Sequence, residues 1–208
     1  MRLIVVRHGE TKENVKGILQ GQNDGVLTKK GRQQRKKVAN ILKNEKIDVI
    51  FSSDLKRTMH MAMEIAKRHG LQIHKTKKLR ERDFGVLAGR TLEAFKEAER
   101  ASGAPALKYA PKGGESFLDV KERVERFMQK LHKIHNNKTI LIVTHGAIIR
   151  SLYAIYLKKP LEEVKGLKTR NAGILILSIG KSKSRKLKDT VFVRGQRSNN
   201  VRKAKAAS

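Results

Sequence analysis

Two short runs of this chain are apolar without interruption, and each stops at a histidine followed by glycine. Leu3-Ile4-Val5-Val6 leads into Arg7-His8-Gly9, and Ile140-Leu141-Ile142-Val143 leads into Thr144-His145-Gly146. A strand with one wet face alternates apolar and polar residues; a short run with no alternation reads as a strand covered on both faces. Covering both faces requires helices on each side. The expected architecture is therefore α/β, a three-layer sandwich with a mostly parallel central sheet and helices on both faces.

The rest of the chain fits that frame. Arg2 to Val6, Asp48 to Phe51, Thr139 to Val143 and Gly173 to Ile179 read as strands, with Leu71 to Lys77 as a further alternating one. Thr28 is placed to cap a helix running to Asn44, which Gly31 weakens. Ser52-Ser53-Asp54 offers caps for a helix ending at His69, with Gly70 at its C′ position. Phe117, Val120, Val124, Phe127, Met128, Leu131 and Ile134 share one helical face, predicting a helix over 117–135, and another is expected from Ala147 to Leu157, before Pro160. Between them, Leu79 to Gly89 reads as a loop, and 90–116 as an irregular, exposed excursion with a helix near Leu92 to Arg100.

With 208 residues, one catalytic domain over 1–180 is expected, followed by a basic extension over 181–208 with a short edge strand near 190–193 and flexible elsewhere. No apolar stretch approaches a membrane span or signal peptide, so a soluble cytoplasmic protein with no membrane contact is expected. The absence of cysteine excludes disulfides, thiolate metal sites and cysteine nucleophiles. The formal charge is +29, of which residues 181–208 contribute +9 and the body +20. Such a field attracts phosphates and polyanions, but aromatics make up only 4% of the chain, so the interleaved rings of a dedicated nucleic-acid module are missing. Nonspecific nucleic-acid or polyanion contact through the basic surface and tail remains an expectation from charge alone.

His8 and His145 each follow the C-terminal end of a strand, where ligand sites of open α/β sheets gather. Arg7 adjoins His8, and Arg57 follows the strand ending at Phe51 by one short turn. Forked guanidiniums suit phosphate oxygens, and a neutral imidazole between positive charges can attack phosphorus. No paired-histidine helix motif, carboxylate cluster at ligand spacing or Walker loop is present, so the reading assigns no metal.

These residues fall within six blocks, VVRHGET (5–11) followed by Asn14, GQNDGVLTKKG (21–31), FSSDLKRT (51–58), LRERDFGVLAG (79–89), GGES (113–116) and VTHGAIIR (143–150). In this order the chain resembles the histidine phosphatase superfamily, the phosphoglycerate mutase-like proteins. The resemblance implies that His8 is the phosphorylated nucleophile, that Arg7, Arg57 and His145 complete its phosphate pocket, and that Glu81 is the proton donor. It further implies phosphate or substrate contacts from Asn14, Gln20, Gln22 and the Gly146 amide. Read alone, Glu81 would instead be a surface partner of Arg80 or Arg82. His60 and Met61 depart from the residues common after the SDLxR motif.

The blocks do not separate hydrolysis from transfer. Glycolytic mutases of this family carry a long insertion with an Arg-Arg pair after the acid loop, whereas residues 90–112 are short and lack one, and GGES is typical of compact broad-specificity phosphatases. The reading is therefore a cofactor-free phosphomonoesterase acting on a small phosphorylated metabolite. The alternatives are a 2,3-bisphosphoglycerate-dependent phosphoglycerate mutase, and a non-catalytic anion- or nucleic-acid-binding protein on the same scaffold. The sequence leaves the substrate and the oligomeric state open.

Overall fold

The computed structural model describes residues 1–179 and the backbone of a strand at Arg185–Val191. Six strands form one sheet: β1 (Arg2–Arg7), β2 (Val49–Ser52), β3 (Ile73–Lys75), β4 (Thr139–Thr144), β5 (Ile174–Ile179) and β6 (Arg185–Val191), in the order β3-β2-β4-β1-β5-β6. The pairs β2–β3, β2–β4 and β1–β4 are parallel, while β5 runs antiparallel to both β1 and β6. The sequence boundary expected at 180 falls between β5 and β6, and the expected edge strand over 190–193 overlaps β6 only at Thr190 and Val191. Residues 192–208 lie outside the described residues.

The uninterrupted apolar runs serve two cores. On β1, Leu3 and Val5 face one side and Ile4 and Val6 the other; on β4, Ile140 and Ile142 divide in the same way from Leu141 and Val143. The first side packs against α5 (Phe117–Ile134) and α6 (Gly146–Leu157), the second against α2 (Lys29–Ile41) and α3 (Lys56–His69). Period-two side-chain direction makes this division obligatory, and fully burying each such side chain stabilises the fold by about 1.5–3 kcal/mol. Three helices were not all foreseen: α4 (Leu92–Ala101) lies where expected, but the short α1 (Lys12–Val15) and α7 (Leu161–Lys165) do not appear as helical patterns in the sequence. Among the described residues no helix is long and apolar enough to cross a membrane.

Two local expectations change. The strand over 71–77 contracts to Ile73–Lys75, and α3 takes Leu55 as its N-cap with no side-chain cap. The Ser53 hydroxyl accepts from the amide of Leu55, the N-cap residue, at 3.4 Å rather than from an amide within α3, and it lies 2.9 Å from Nε2 of His145. Gly31, a weak point in sequence terms, is required by packing. A Cβ there would lie 2.0 Å from the Glu10 carbonyl oxygen, so α2 presses its backbone directly onto the loop after His8. Thr28 caps α2 as expected, accepting from the Gly31 amide.

Candidate active site

The parallel strands β1, β2 and β4 bring three chain segments to one edge of the sheet. His8 leaves β1, Arg57 lies in the first turn of α3 after β2, and His145 leaves β4 as the N-cap of α6. The two imidazoles, fully buried, have ring centroids 5.2 Å apart. The fold thus brings together residues far apart in sequence.

His8 Nδ1 lies 2.8 Å from the Gly9 carbonyl oxygen. A carbonyl can only accept, so Nδ1 carries the proton and Nε2 keeps its lone pair. Burial, then the guanidiniums of Arg7 and Arg57, hold His8 well below the usual histidine range. His145 is held low by burial first and then by Arg57, His8 and Arg7. Both rings are therefore neutral near pH 7. Arg7 is pulled down to about 10 by burial, which Glu81 opposes, and remains charged.

Both arginines are oriented by backbone carbonyls. Arg7 Nη1 donates to Thr169, while Arg57 donates through Nη1 to Asn23 at 2.6 Å and through Nη2 to Gly21 at 2.8 Å. The Nε of each is buried without a hydrogen-bond partner among the described residues. Asn14 closes the capping box of α1 with Thr11 and accepts from Asn171 Nδ2 at 2.9 Å. Ala172, at φ 57°, donates its amide to the His8 carbonyl, so the segment before β5 braces the histidine loop.

Glu81 lies at the start of α6. Its carboxylate accepts from the amides of Gly146 and Ala147, each at 3.0 Å, and from the Arg82 amide at 2.9 Å. The orphan N–H groups and the positive end of the helix macrodipole favour an anion there. Neither neighbouring arginine pairs with it. Arg80 makes a forked contact with Asp54 at 2.7 and 2.6 Å, and Arg82 donates to the carbonyls of Glu115 and Tyr109, both at 2.7 Å. The surface-pair alternative for Glu81 is thus not realised.

A cleft of about 1050 Å³ opens beside these groups, lined by Arg7, His8, Asn14, Gln20, Arg57, Glu81 and Gly146 among others. Neither the fully buried His145 nor Gln22 is among them. The left-handed backbone of Gly21 (φ 53°) turns consecutive side chains apart, and Gln22 instead accepts from Arg80 at 3.2 Å. Sequence reasoning missed Arg150, Ser53 and Asn171. Arg150 lies four residues after Gly146, one turn along the same helical face, a spacing that could have flagged it. Among the described residues no three His, Asp or Glu side chains converge as metal ligands.

The model of the histidine phosphatase superfamily (branch 1) matches residues 3–189. Phosphoserine phosphatase 1 of Hydrogenobacter thermophilus is 34% identical over 85% of this chain and 86% of its own length. Phosphoglycerate mutase-like protein 4 of Arabidopsis thaliana is 40% identical over 73% of this chain and 69% of its own. The crystal structure of the alpha-ribazole phosphatase from Shigella flexneri superposes with a TM-score of 0.82 at 28% identity, covering 94% of this chain and all (100%) of that one. With the match spanning every strand of the sheet, the chain belongs to branch 1 of the histidine phosphatase superfamily and is a phosphatase or mutase enzyme.

Proposed function

We propose that the protein hydrolyses phosphomonoesters of small metabolites in the cytoplasm through a phosphohistidine on His8. The observation that carries this reading is the His8 ring itself, whose Nδ1 contact with the Gly9 carbonyl leaves Nε2 unprotonated beside Arg7 and Arg57. In the first step Nε2 attacks phosphorus as the ester P–O bond breaks, and Glu81, a carboxylate in the free site, passes to the departing oxygen the proton that a monoanionic ester brings in. In the second step water attacks the phosphohistidine, Glu81 takes its proton and hands it to the departing inorganic phosphate, and the site returns with His8 neutral and Glu81 a carboxylate. Arg7, Arg57, neutral His145 and the Gly146 amide stabilise the charge on the transferring group, the main source of rate in phosphoryl transfer. A phosphate entering the cleft competes with Glu81 for the Gly146 amide, which frees the carboxylate to face the leaving group.

Hydrolysis is favoured over transfer by the short stretch between the acid loop and α5, which holds only the ten-residue α4 and no Arg-Arg pair. A mutase reading draws support from the relative with a mutase-like name. The deciding experiment incubates the protein with an aryl phosphate in the presence of a chelator, and with 3-phosphoglycerate with and without 2,3-bisphosphoglycerate. Phosphate release from the aryl ester that persists with chelator and vanishes in His8→Ala is the expected result. Release that survives His8→Ala sinks the mechanism, and bisphosphoglycerate-dependent isomerisation without release makes the protein a mutase.

A further inference from the structure

The chemistry proposed for the cleft uses two of the arginines and leaves most of the +29 charge without a role. One element concentrates that charge. α2 carries Lys29, Lys30, Arg32, Arg35, Lys36 and Lys37 and no acid. Lys30 pairs with Glu10 at 2.7 Å, Arg35 meets Glu64 at 3.7 Å, and Arg32 donates to the Leu27 carbonyl at 2.8 Å. Lys29, Lys36 and Lys37 are exposed, with no ion pair among the described residues. Glu45, the next acid along the chain, is held by Arg2 at 2.7 Å.

Local physics disfavours such a helix. Cations in its first turn meet the positive end of the macrodipole, and Arg32 and Lys36 are like charges four residues apart. The helix is nevertheless fixed in place. Val38 and Ala39 are buried against the sheet, Thr28 caps it, and the buried Gly31 sits on the backbone of Glu10. Its outer face is therefore a rigid presentation of charge. Lys29 and Lys36, with Lys43 one residue past the C-cap Leu42, recur every seventh position, roughly 10 Å apart along the axis, with Arg32 and Lys37 on the two flanks.

We propose that this face of α2 is a docking ridge for the phosphate backbone of single-stranded nucleic acid. Neighbouring cations stand about 5–6 Å apart on such a face, and long lysine stems let a flexible strand bring phosphates to each. A lipid surface fits less well, because membrane-binding helices insert an apolar face and the exposed side of α2 offers only Ile41. Residues 12–50 contain no aromatic side chain, so bases find no stacking platform. Recognition is consequently through phosphate alone, without sequence preference and steeply weakened by salt.

The test titrates full-length protein into a short fluorescein-labelled oligouridine across a salt series. Neutralising the row with Lys29→Gln, Lys36→Gln and Lys43→Gln should weaken binding at least roughly tenfold at low salt and flatten the slope of log K against log salt by about 2. The single change Lys36→Gln, mild enough to leave the fold intact, should flatten it by about 0.7. A charge-matched control, Lys130→Gln with Lys133→Gln and Lys138→Gln, strips exposed lysines from α5 in the opposite helical layer and from the turn between α5 and β4, and should leave binding within about twofold of wild type. Aryl phosphate hydrolysis should be unchanged in every variant. Equal losses in the ridge and control triples overturn the proposal, as does an unaltered slope in the ridge variants. Wild-type binding to phosphatidylserine vesicles without binding to oligouridine also overturns it.

Discussion

Acid should destabilise this protein through the same two histidines that form the site. His8 and His145 are buried and neutral in the fold, whereas in the unfolded chain each titrates near the ordinary histidine value of about 6.5. Below that pH the unfolded chain binds protons that the folded one refuses, so stability falls as pH falls. The contribution is fully present above about pH 6.5 and is lost toward the depressed folded-state values. For one such histidine the loss between pH 8 and pH 5 is at most about 2 kcal/mol, the limit in which the folded ring takes up no proton by pH 5, hence at most about 4 kcal/mol for the pair, against the ~5–15 kcal/mol that stabilises a typical domain. Urea unfolding at both pH values, on wild type and on a double variant carrying His8→Asn and His145→Asn, isolates this difference. The carboxylates of Asp54, held low by Arg80, and Asp119, held low by Ser116, are common to both proteins and cancel. An equal pH dependence in the two proteins refutes the argument that these imidazoles are buried in the neutral form.

Glu81→Gln preserves shape but removes the proton, so kcat/KM, which reports the phosphorylation step alone, should fall about 10²–10³-fold on an alkyl phosphate and much less on p-nitrophenyl phosphate, whose leaving group needs no acid. Equal losses of kcat/KM on the two esters contradict the role given to Glu81. Gly31→Ala forces a methyl group to within 2.0 Å of the Glu10 carbonyl oxygen and should cost about 1–3 kcal/mol, read as a lower thermal midpoint. An unchanged midpoint there means the loop after His8 is not pinned to α2. A chain ending after Ile179 loses β6, bares an edge of β5 and should melt lower and scatter more light than one ending after Val191.

The layered fold was legible because the runs Leu3–Val6 and Ile140–Val143 have only one economical explanation, burial on both faces of a sheet. His8 and His145 were legible as site candidates for a related reason, since each ends such a run. Contacts between distant segments were not legible. Ser53 looks like a helix cap in its local setting, and only the approach of β4 beside β2 turns its hydroxyl toward His145. The side taken by Gln22 depends on the left-handed turn at Gly21, and the value of Gly31 depends on the backbone of Glu10. α1 and α7, with four and five residues, are too short to display a helical period. Glu81 had two readings in sequence, and the partners of Arg80 and Arg82 leave its carboxylate to the start of α6.

The strand order also sets a schedule for synthesis. β1 precedes the other five strands of the sheet, yet its neighbours are β4 and β5, so Val6 pairs with Val143 on one side and Ile174 on the other. Until β5 has been made, the strand leading into His8 has at most one of its two partners. The nascent chain must carry a bare apolar β1 until β4 emerges, and contacts of such long sequence separation close slowly. The loop of His8, braced from the far side by Asn171 and Ala172, is therefore completed only once the segment before β5 has emerged.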